Sequence, residues 1–169
     1  MGRILLNTMK RTQLGLSLLE ILLVIALIGI LVGIGTASWK LFFQKSKLAG
    51  SVETIISDLR DVQQKTVSEQ VRYFVRFADV GGNSYEIGKK EDNLTPPPDL
   101  TEIVLTTKEL PLGIRIDGLE QLPPDRRVEF SFAGGVVDVT DTALIRLTNG
   151  VSTMSIEVKR SGFIRFVTP

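Results

Sequence analysis

A single carboxylate, Glu20, stands at the head of an otherwise unbroken apolar run near the start of this 169-residue chain. The stretch reads QLGLSLLEILLVIALIGILVGIG from Gln13 to Gly35, and a Gly15-Leu16 junction lies five residues before the acid. An acid at the centre of a bilayer costs roughly 2.5 to 3.5 kcal/mol on insertion scales, and less near the interface. If this segment enters a packed bundle of apolar helices, the carboxylate therefore needs a positive partner.

The sequence offers little for catalysis. It contains neither Cys nor His, which excludes disulfides, thiol nucleophiles, imidazole acid–base chemistry and zinc sites built on those residues. Two pairs of acids remain as candidate carboxylate pairs, Asp138 with Asp141 and Glu91 with Asp92. Acids at turns are usually solvated, and no nucleophile motif accompanies these pairs. The sequence therefore predicts no enzyme, no catalytic residues and no cofactor.

The sequence offers two alternative binding sites. Calcium accepts oxygen ligands in loops, and Asp92, Asn93 and Asp99 could supply them, but their spacing matches no known calcium loop, so no metal site is predicted. A basic patch for DNA could form from residues near the C-terminus, Lys159, Arg160 and Arg165. Without residues 1–15, however, the chain carries 17 basic and 19 acidic residues, which disfavours phosphate binding. Nucleic acid is therefore kept only as an alternative partner.

The apolar run has the length and flanks of a membrane segment. No charged residue occurs from Ile21 to Trp39, a stretch of 19 residues, and a helix needs about 20 to cross a bilayer core. Arg3, Lys10 and Arg11 precede the run without any acid. Because basic flanks stay in the cytoplasm, we expect a cytoplasmic N-terminus and everything after Trp39 on the far side of the membrane.

Two ordinary interpretations of this segment stay open. A secretory signal would have a shorter apolar core, although residues 35–37 (Gly-Thr-Ala) form a weak cleavage site. A plain uncleaved signal anchor explains the length and the basic flank, but leaves Glu20 and the Gly15-Leu16 junction without a role. A lipoprotein signal is excluded because it needs a Cys.

Beyond the membrane segment the periodicity predicts an amphipathic helix and then a β-rich head. Apolar side chains recur at helical spacing and form one face, made of Val52, Ile55, Ile56, Leu59, Val62, Thr66 and Val67. The polar side chains expected to point away from this face are Asp58, Arg60, Asp61, Gln64 and Lys65. One helix from Leu16 to about Gln70 is expected, with a membrane half over 16–43 and an amphipathic half over 44–70.

Nine short strands are predicted over 71–169, separated by turn residues. The last four are expected to form hairpins at Gly134-Gly135, Thr140-Asp141, Asn149-Gly150 and Ser161-Gly162. The polar, Pro-rich tract over 89–101 is expected to be an exposed loop. The predicted fold class is α+β, with a long N-terminal helix packed on an antiparallel β-sheet head.

The N-terminal string resembles the class III signal of type IV prepilins and type II secretion pseudopilins. It has Lys10 and Arg11, then GLSLLE from Gly15 to Glu20, then the apolar run. The resemblance implies removal of a leader, residues 1–15, by prepilin peptidase, with cleavage between Gly15 and Leu16 and N-methylation of Leu16. It also implies that Glu20 meets the amino terminus of a neighbouring subunit during assembly. In that family, Phe or Met is commoner at the position of Leu16, and Thr is commoner at the position of Ser17.

The head resembles the GspH/FimT family of pilin-like proteins. A middle element of the family, an aromatic residue followed by a Gly turn, is approximated by Phe132, Gly134 and Gly135, although the usual Pro of that element is missing. A late element, I-x-V-x-x-x-G, is matched by Ile156, Val158 and Gly162. The resemblance implies an H-type minor pseudopilin of the type II secretion system that supports protein export. A FimT-like minor type IV pilin, in pilus assembly or DNA uptake, is the alternative.

The same resemblance implies a location and a set of partners. The subunit is expected in the inner membrane as a single-pass protein, with its N-terminus cytoplasmic and its head periplasmic. Three kinds of partner are expected: other pseudopilins or pilins, which would contact the N-terminal helix; prepilin peptidase; and the inner-membrane assembly platform.

Overall fold

The computed structural model describes residues 17–92 and 100–167. The predicted cleavage site between Gly15 and Leu16 lies outside these residues, as do Asn93 and Asp99 of the calcium alternative. The chain divides into two compact units, Met1–Lys40 and Leu41–Pro169. The second unit contains the outer part of the helix and all the described strands.

The single described helix, α1, runs from Leu18 to Glu69. It ends at Gln70, which adopts a left-handed conformation with φ 55°, and the chain then turns directly into a strand. The predicted apolar face is confirmed as buried from Val52 to Thr66, and Leu48 extends it toward the N-terminus. The prediction was wrong for Val67, which is exposed, and for Asp58, which is half-buried and bonded to the sheet.

All nine predicted strands are confirmed, in the predicted order. They are β1 (Arg72–Phe77), β2 (Ser84–Asp92), β3 (Leu100–Glu109), β4 (Arg115–Glu120), β5 (Arg127–Phe130), β6 (Val136–Val137), β7 (Thr142–Thr148), β8 (Thr153–Lys159) and β9 (Ile164–Val167). The loop expected over 89–101 was wrong at both ends, because β2 continues through Asp92 and β3 begins at Leu100. These strands are paired to each other, and β3 is the edge strand, so the described residues at their ends belong to the sheet.

The strands form two antiparallel sheets. A five-stranded sheet has the order β3-β2-β1-β5-β6, and a four-stranded sheet has the order β4-β7-β8-β9. The hairpin expected at Thr140-Asp141 was wrong, because β6 and β7 belong to different sheets and the chain crosses between them there. The hairpins at Asn149-Gly150 and Ser161-Gly162 are confirmed by the β7–β8 and β8–β9 pairings, and β5 pairs β6 across Gly134-Gly135.

The hydrophobic core joins α1 to both sheets. Helix residues such as Ile55 and Leu59 are fully buried in one cluster with Phe130 of the five-stranded sheet and Ile145 of the four-stranded sheet. At about 25 cal/mol per Å² of buried apolar area, burial of this kind is the main force that holds a domain without disulfides. The helix and the two sheets thus share one core.

Candidate functional site

The first turn of α1 contains the acid singled out in the sequence. The backbone N–H groups of Glu20 and Ile21 donate to the carbonyl of Ser17, at 2.9 and 3.2 Å, so Ser17 occupies the N-cap position and Glu20 the third helical position. Ser-x-x-Glu at these positions is the sequence signature of a capping box, and an acid in the first turn is stabilised by the positive end of the helix dipole. This second role was missed, although the S-x-x-E signature before an apolar run is visible in the sequence.

The helix then presents an apolar surface on all sides. Twelve large apolar side chains between Leu18 and Val32 are exposed, each by 46 to 77%. Soluble monomers rarely expose a continuous apolar surface of this extent, so it is a candidate surface for association. Within the described residues, no helix satisfies both the length and the hydropathy required to cross a membrane.

Asp58 fastens the outer part of α1 to the edge of the five-stranded sheet. Its carboxylate accepts a 2.5 Å hydrogen bond from the Tyr85 hydroxyl and lies 2.7 and 2.8 Å from Nζ of Lys108. Burial of the phenol is the larger cause, and the hydrogen bond to Asp58 the next, of a pKa of Tyr85 that is raised above its usual value. At the end of the helix the Tyr73 hydroxyl donates to Glu69 at 2.5 Å, and this bond raises the pKa of Tyr73 to about 12.

Gln63 fastens the helix to two turns at once. Its side-chain Nε2 donates to the carbonyls of Gly134, at 2.5 Å, and Gly162, at 3.0 Å. Gly162 has φ +85°, and a Cβ there would lie 2.0 Å from the Gly134 carbonyl oxygen. Two glycines that the family resemblance singled out therefore meet at one helix side chain.

Replacing Gly162 with alanine is expected to lower the free energy of unfolding by about 2 to 3 kcal/mol, through backbone strain plus the clash with Gly134. Gly150 is the matched control: its φ is +82°, but nothing lies within 4 Å of an added Cβ. We expect G150A to cost only about 1 kcal/mol. Denaturant unfolding of the full chain in detergent, followed by circular dichroism, measures both. Equal losses would show that the contact with Gly134 is unimportant.

The outer face of the five-stranded sheet, which points away from α1, is covered by a network of charges. Glu129 is only 2% exposed and lies 2.6 Å from Nζ of Lys90, which is 9% exposed. Arg127 contacts the same carboxylate at 3.4 Å and Arg72 at 3.7 Å. Phe74, the cross-strand neighbour of Glu129, is fully buried on this face, and the Arg76 guanidinium lies 5.0 Å from its ring centroid.

Glu102 links this network to the edge strand β3. Burial alone would raise the pKa of Glu102, but hydrogen bonds and charge from Arg76 and Arg127 outweigh it and hold the pKa below its usual value. A carboxyl with a lowered folded-state pKa stabilises the fold above its unfolded pKa, about 4.3, and loses that contribution as the pH falls.

The variant E102Q is therefore expected to be less stable than the wild type at pH 7, by about 1 kcal/mol or less. The difference should shrink as the pH falls below about 4, where the wild-type carboxyl takes up a proton. Unfolding curves at several pH values measure this. The control is E86Q, because Glu86 has only a 3.7 Å contact to Arg76. A difference that grows toward low pH would contradict the interpretation.

The basic residues considered for DNA binding are partly neutralised. Arg165 is hydrogen-bonded to Glu157, and Nζ of Lys159 lies 3.8 Å from the same carboxylate, while Arg160 is exposed in the following turn. No group of three or more potential metal ligands occurs among the residues that the structure describes. Of the carboxylate pairs, Glu91 lies in β2 and bonds Lys89, and Asp138 lies in the connection that leaves β6.

Comparison with known proteins identifies the fold. No protein-family model matches the chain, and no curated protein matches its sequence. The structure is similar to that of the type IV minor pilin FimU from Pseudomonas aeruginosa, with 14% identity and a TM-score of 0.55, over 75% of this chain and 92% of that chain. It is also similar to the minor pseudopilin EpsH from the type 2 secretion system of Vibrio cholerae, with 14% identity and a TM-score of 0.54, over 73% of this chain and 98% of that chain.

These similarities agree with the architecture described above, in which the outer part of α1 packs on antiparallel sheets. The expectation of a pilin-like α+β fold is confirmed, and the chain has the fold that is found in a minor pilin and a minor pseudopilin.

Proposed function

We propose that this chain is an H-type minor pseudopilin that is processed by prepilin peptidase and assembles into the type II secretion pseudopilus, where it supports protein export. One combination carries the proposal: a pilin-like head follows an N-terminal string, Gly15 to Glu20, of the prepilin type. Neither a secretory signal nor a plain anchor would need both. The role is structural, and the residues that perform it contact other subunits rather than a substrate.

The mechanism that we propose is assembly through the N-terminal helix. Cleavage after Gly15 would create an amine on Leu16, about 6 Å along the helix axis from Glu20. The exposed apolar side chains from Leu18 to Val32 would be covered by lipid before assembly and by neighbouring helices after it. In that apolar bundle the carboxylate of one subunit would pair with the amine of the next.

The location and partners follow from this proposal. The subunit would sit in the inner membrane with its N-terminus cytoplasmic and its head periplasmic, because Arg3, Lys10 and Arg11 flank the apolar run. Prepilin peptidase, the inner-membrane assembly platform and other pseudopilins are the proposed partners. The helix and its Glu20 provide the joining surface, while the head presents side chains to neighbours or cargo.

The second candidate is a FimT-like minor pilin in pilus assembly or DNA uptake, which the similarity to FimU favours. A DNA shift assay on the full chain in detergent tests the DNA part of this candidate. We expect no salt-sensitive binding, because Glu157 pairs with Lys159 and Arg165. Retarded DNA that is released by salt would favour DNA uptake over secretion.

Site-specific crosslinking in cells tests the assembly proposal. A photoreactive residue in place of Leu27, which is exposed on the apolar helix, is expected to crosslink to other pilin-like subunits. The same residue in place of Lys65, which is exposed on the helix beside the head, is the control for random capture. Crosslinks from position 27 that contain lipid alone would contradict assembly through the helix.

A further inference from the structure

One end of the head carries apolar side chains that the core does not use. Three turns meet at this end, and each presents one aliphatic residue at its tip. Together with two helix residues they form what we name the apolar rim, and the members and their exposed fractions are Phe42 (68%), Phe43 (48%), Val80 (61%), Leu112 (97%) and Val151 (58%). Turn tips ordinarily favour Gly, Pro, Asn, Asp and Ser, so three aliphatic tips at one end need an explanation.

Hydrogen bonds place the three turns together. The Gly81 N–H donates to the Ile116 carbonyl at 2.8 Å, and the Ile116 N–H donates to the Gly82 carbonyl at 2.9 Å, so the turn with Val80 lies against the start of β4. Leu112 is in the turn just before β4, which is closed by a 3.0 Å bond from Ile114 to Pro111. At the start of β4, Arg115 pairs with Thr148, the residue from which the turn with Val151 departs.

The same turns lie beside the first residues of α1 in this unit. Asn149 donates from Nδ2 to the Gln44 carbonyl at 2.9 Å, which joins the turn with Val151 to the helix. Pro111 and Lys47 line one shallow groove, which places the turn with Leu112 next to the helix as well. Phe42 and Phe43, whose rings pack edge to face at 6.1 Å, immediately precede Gln44.

We propose that the apolar rim rests in the surface of a lipid bilayer and sets the height of the head above it. This inference rests on the proposed membrane location. In the sequence, only Lys40 and Leu41 separate Phe42 from the apolar run Ile21 to Trp39, the segment that lipid would cover. Aromatic residues favour the membrane interface, and aliphatic tips can enter it to a depth of about 5 to 10 Å.

The charges at this end are compatible with lipid headgroups. Lys45, Lys47 and Arg115 are exposed there, as is Glu109, while Asp79 is bonded to Arg126. Asp117, two residues after Arg115, is exposed as well, so the described residues at this end include three exposed cations and two exposed acids besides the Asp79–Arg126 pair. Anionic phospholipids would be attracted to this positive charge.

Single cysteine labels test this inference, because the chain has no Cys of its own. Full-length L112C and S161C variants would carry an environment-sensitive fluorophore in vesicles of phosphatidylethanolamine and phosphatidylglycerol. Ser161 is an exposed control far from the rim. Its neighbour Gly162 contacts Gln63, which lies about 28 Å further along α1 than Gln44. We expect nitroxide placed at shallow depth in the lipid to quench the Leu112 label at least about two-fold and to leave the Ser161 label unchanged.

A third label, L27C, separates the rim from the membrane location on which it rests. Quenching at position 27 by deep nitroxide, without quenching at position 112, would overturn the rim inference and leave membrane insertion standing. Absence of quenching at position 27 would overturn the membrane location itself. A Leu112 label that leaves water only on assembly, without quenching by lipid, would show that the rim is a contact between subunits and would also overturn the inference.

Discussion

Replacing Glu20 with alanine is expected to leave cleavage and membrane insertion intact and to prevent incorporation of the subunit into the filament. The reason is the proposed pairing of this carboxylate with the amine of a neighbouring subunit in an apolar bundle. Breaking a buried ion pair costs about 3 to 5 kcal/mol. Because each ~1.4 kcal/mol is a factor of ten, incorporation should fall by about 100-fold or more. Immunoblots of isolated filaments against the membrane fraction measure the loss.

Glutamine at position 20 is the control that the structure makes necessary. Glu20 occupies the third position of the helix that follows Ser17 in a Ser-x-x-Glu sequence, so alanine would remove a side chain suited to the helix start together with the charge. Gln suits a capping box nearly as well as Glu does, but it has no negative charge with which to form an ion pair with the amine. We therefore expect E20Q to fail in assembly as E20A does. If E20Q assembles like the wild type, the start of the helix matters and the proposed charge pair is wrong.

The largest loss of stability in the head is expected when Glu129 is replaced. In E129L, the Nζ of Lys90 would lose the carboxylate 2.6 Å away while remaining 9% exposed. Arg127 keeps Glu102 and Asp125 as partners, and Arg72 can reach water, so the unpaired charge would fall on Lys90. An uncompensated buried charge costs about 3 to 5 kcal/mol. Denaturant unfolding of the full chain in detergent measures the change.

The double variant K90M/E129L tests whether Lys90 and Glu129 stabilise the fold as a pair or independently of each other. When both partners become apolar, no buried charge is left at the former contact, and such replacements are often close to neutral. We therefore expect the double variant to be more stable than E129L alone, with the losses of the single variants far from additive. Additive losses would show that Lys90 and Glu129 contribute independently and that the 2.6 Å contact carries little energy.

Local patterns were sufficient to predict the elements of this fold. Alternating residues identified all nine strands, and helical spacing identified the buried face from Val52 to Thr66. Their membership in two sheets was missed, since Thr140-Asp141 has the appearance of any hairpin turn. Whether the next strand pairs or crosses to another sheet depends on partners far away in sequence, which local periodicity does not report.

Buried charges were the other features that the sequence did not indicate. Asp58 was expected in water because it falls on the polar side of the helix, but Tyr85 and Lys108 reach it from the sheet. Glu129 follows the strand alternation to the outer face, where long basic side chains cover it. One signal was available: Tyr73, Phe74 and Val75 are consecutive and bulky, which is typical of a strand buried on both faces.

Mass spectrometry of the mature protein, purified from membranes, tests the central claim most directly. If the chain is a processed pilin-like subunit, its first residue is Leu16 and its amine carries one extra methyl group, so residues 1–15 are absent. As the control, the same protein purified from a strain that lacks prepilin peptidase should still begin at Met1. An intact Met1 in the wild-type strain, or a new terminus after residue 37, would contradict the account.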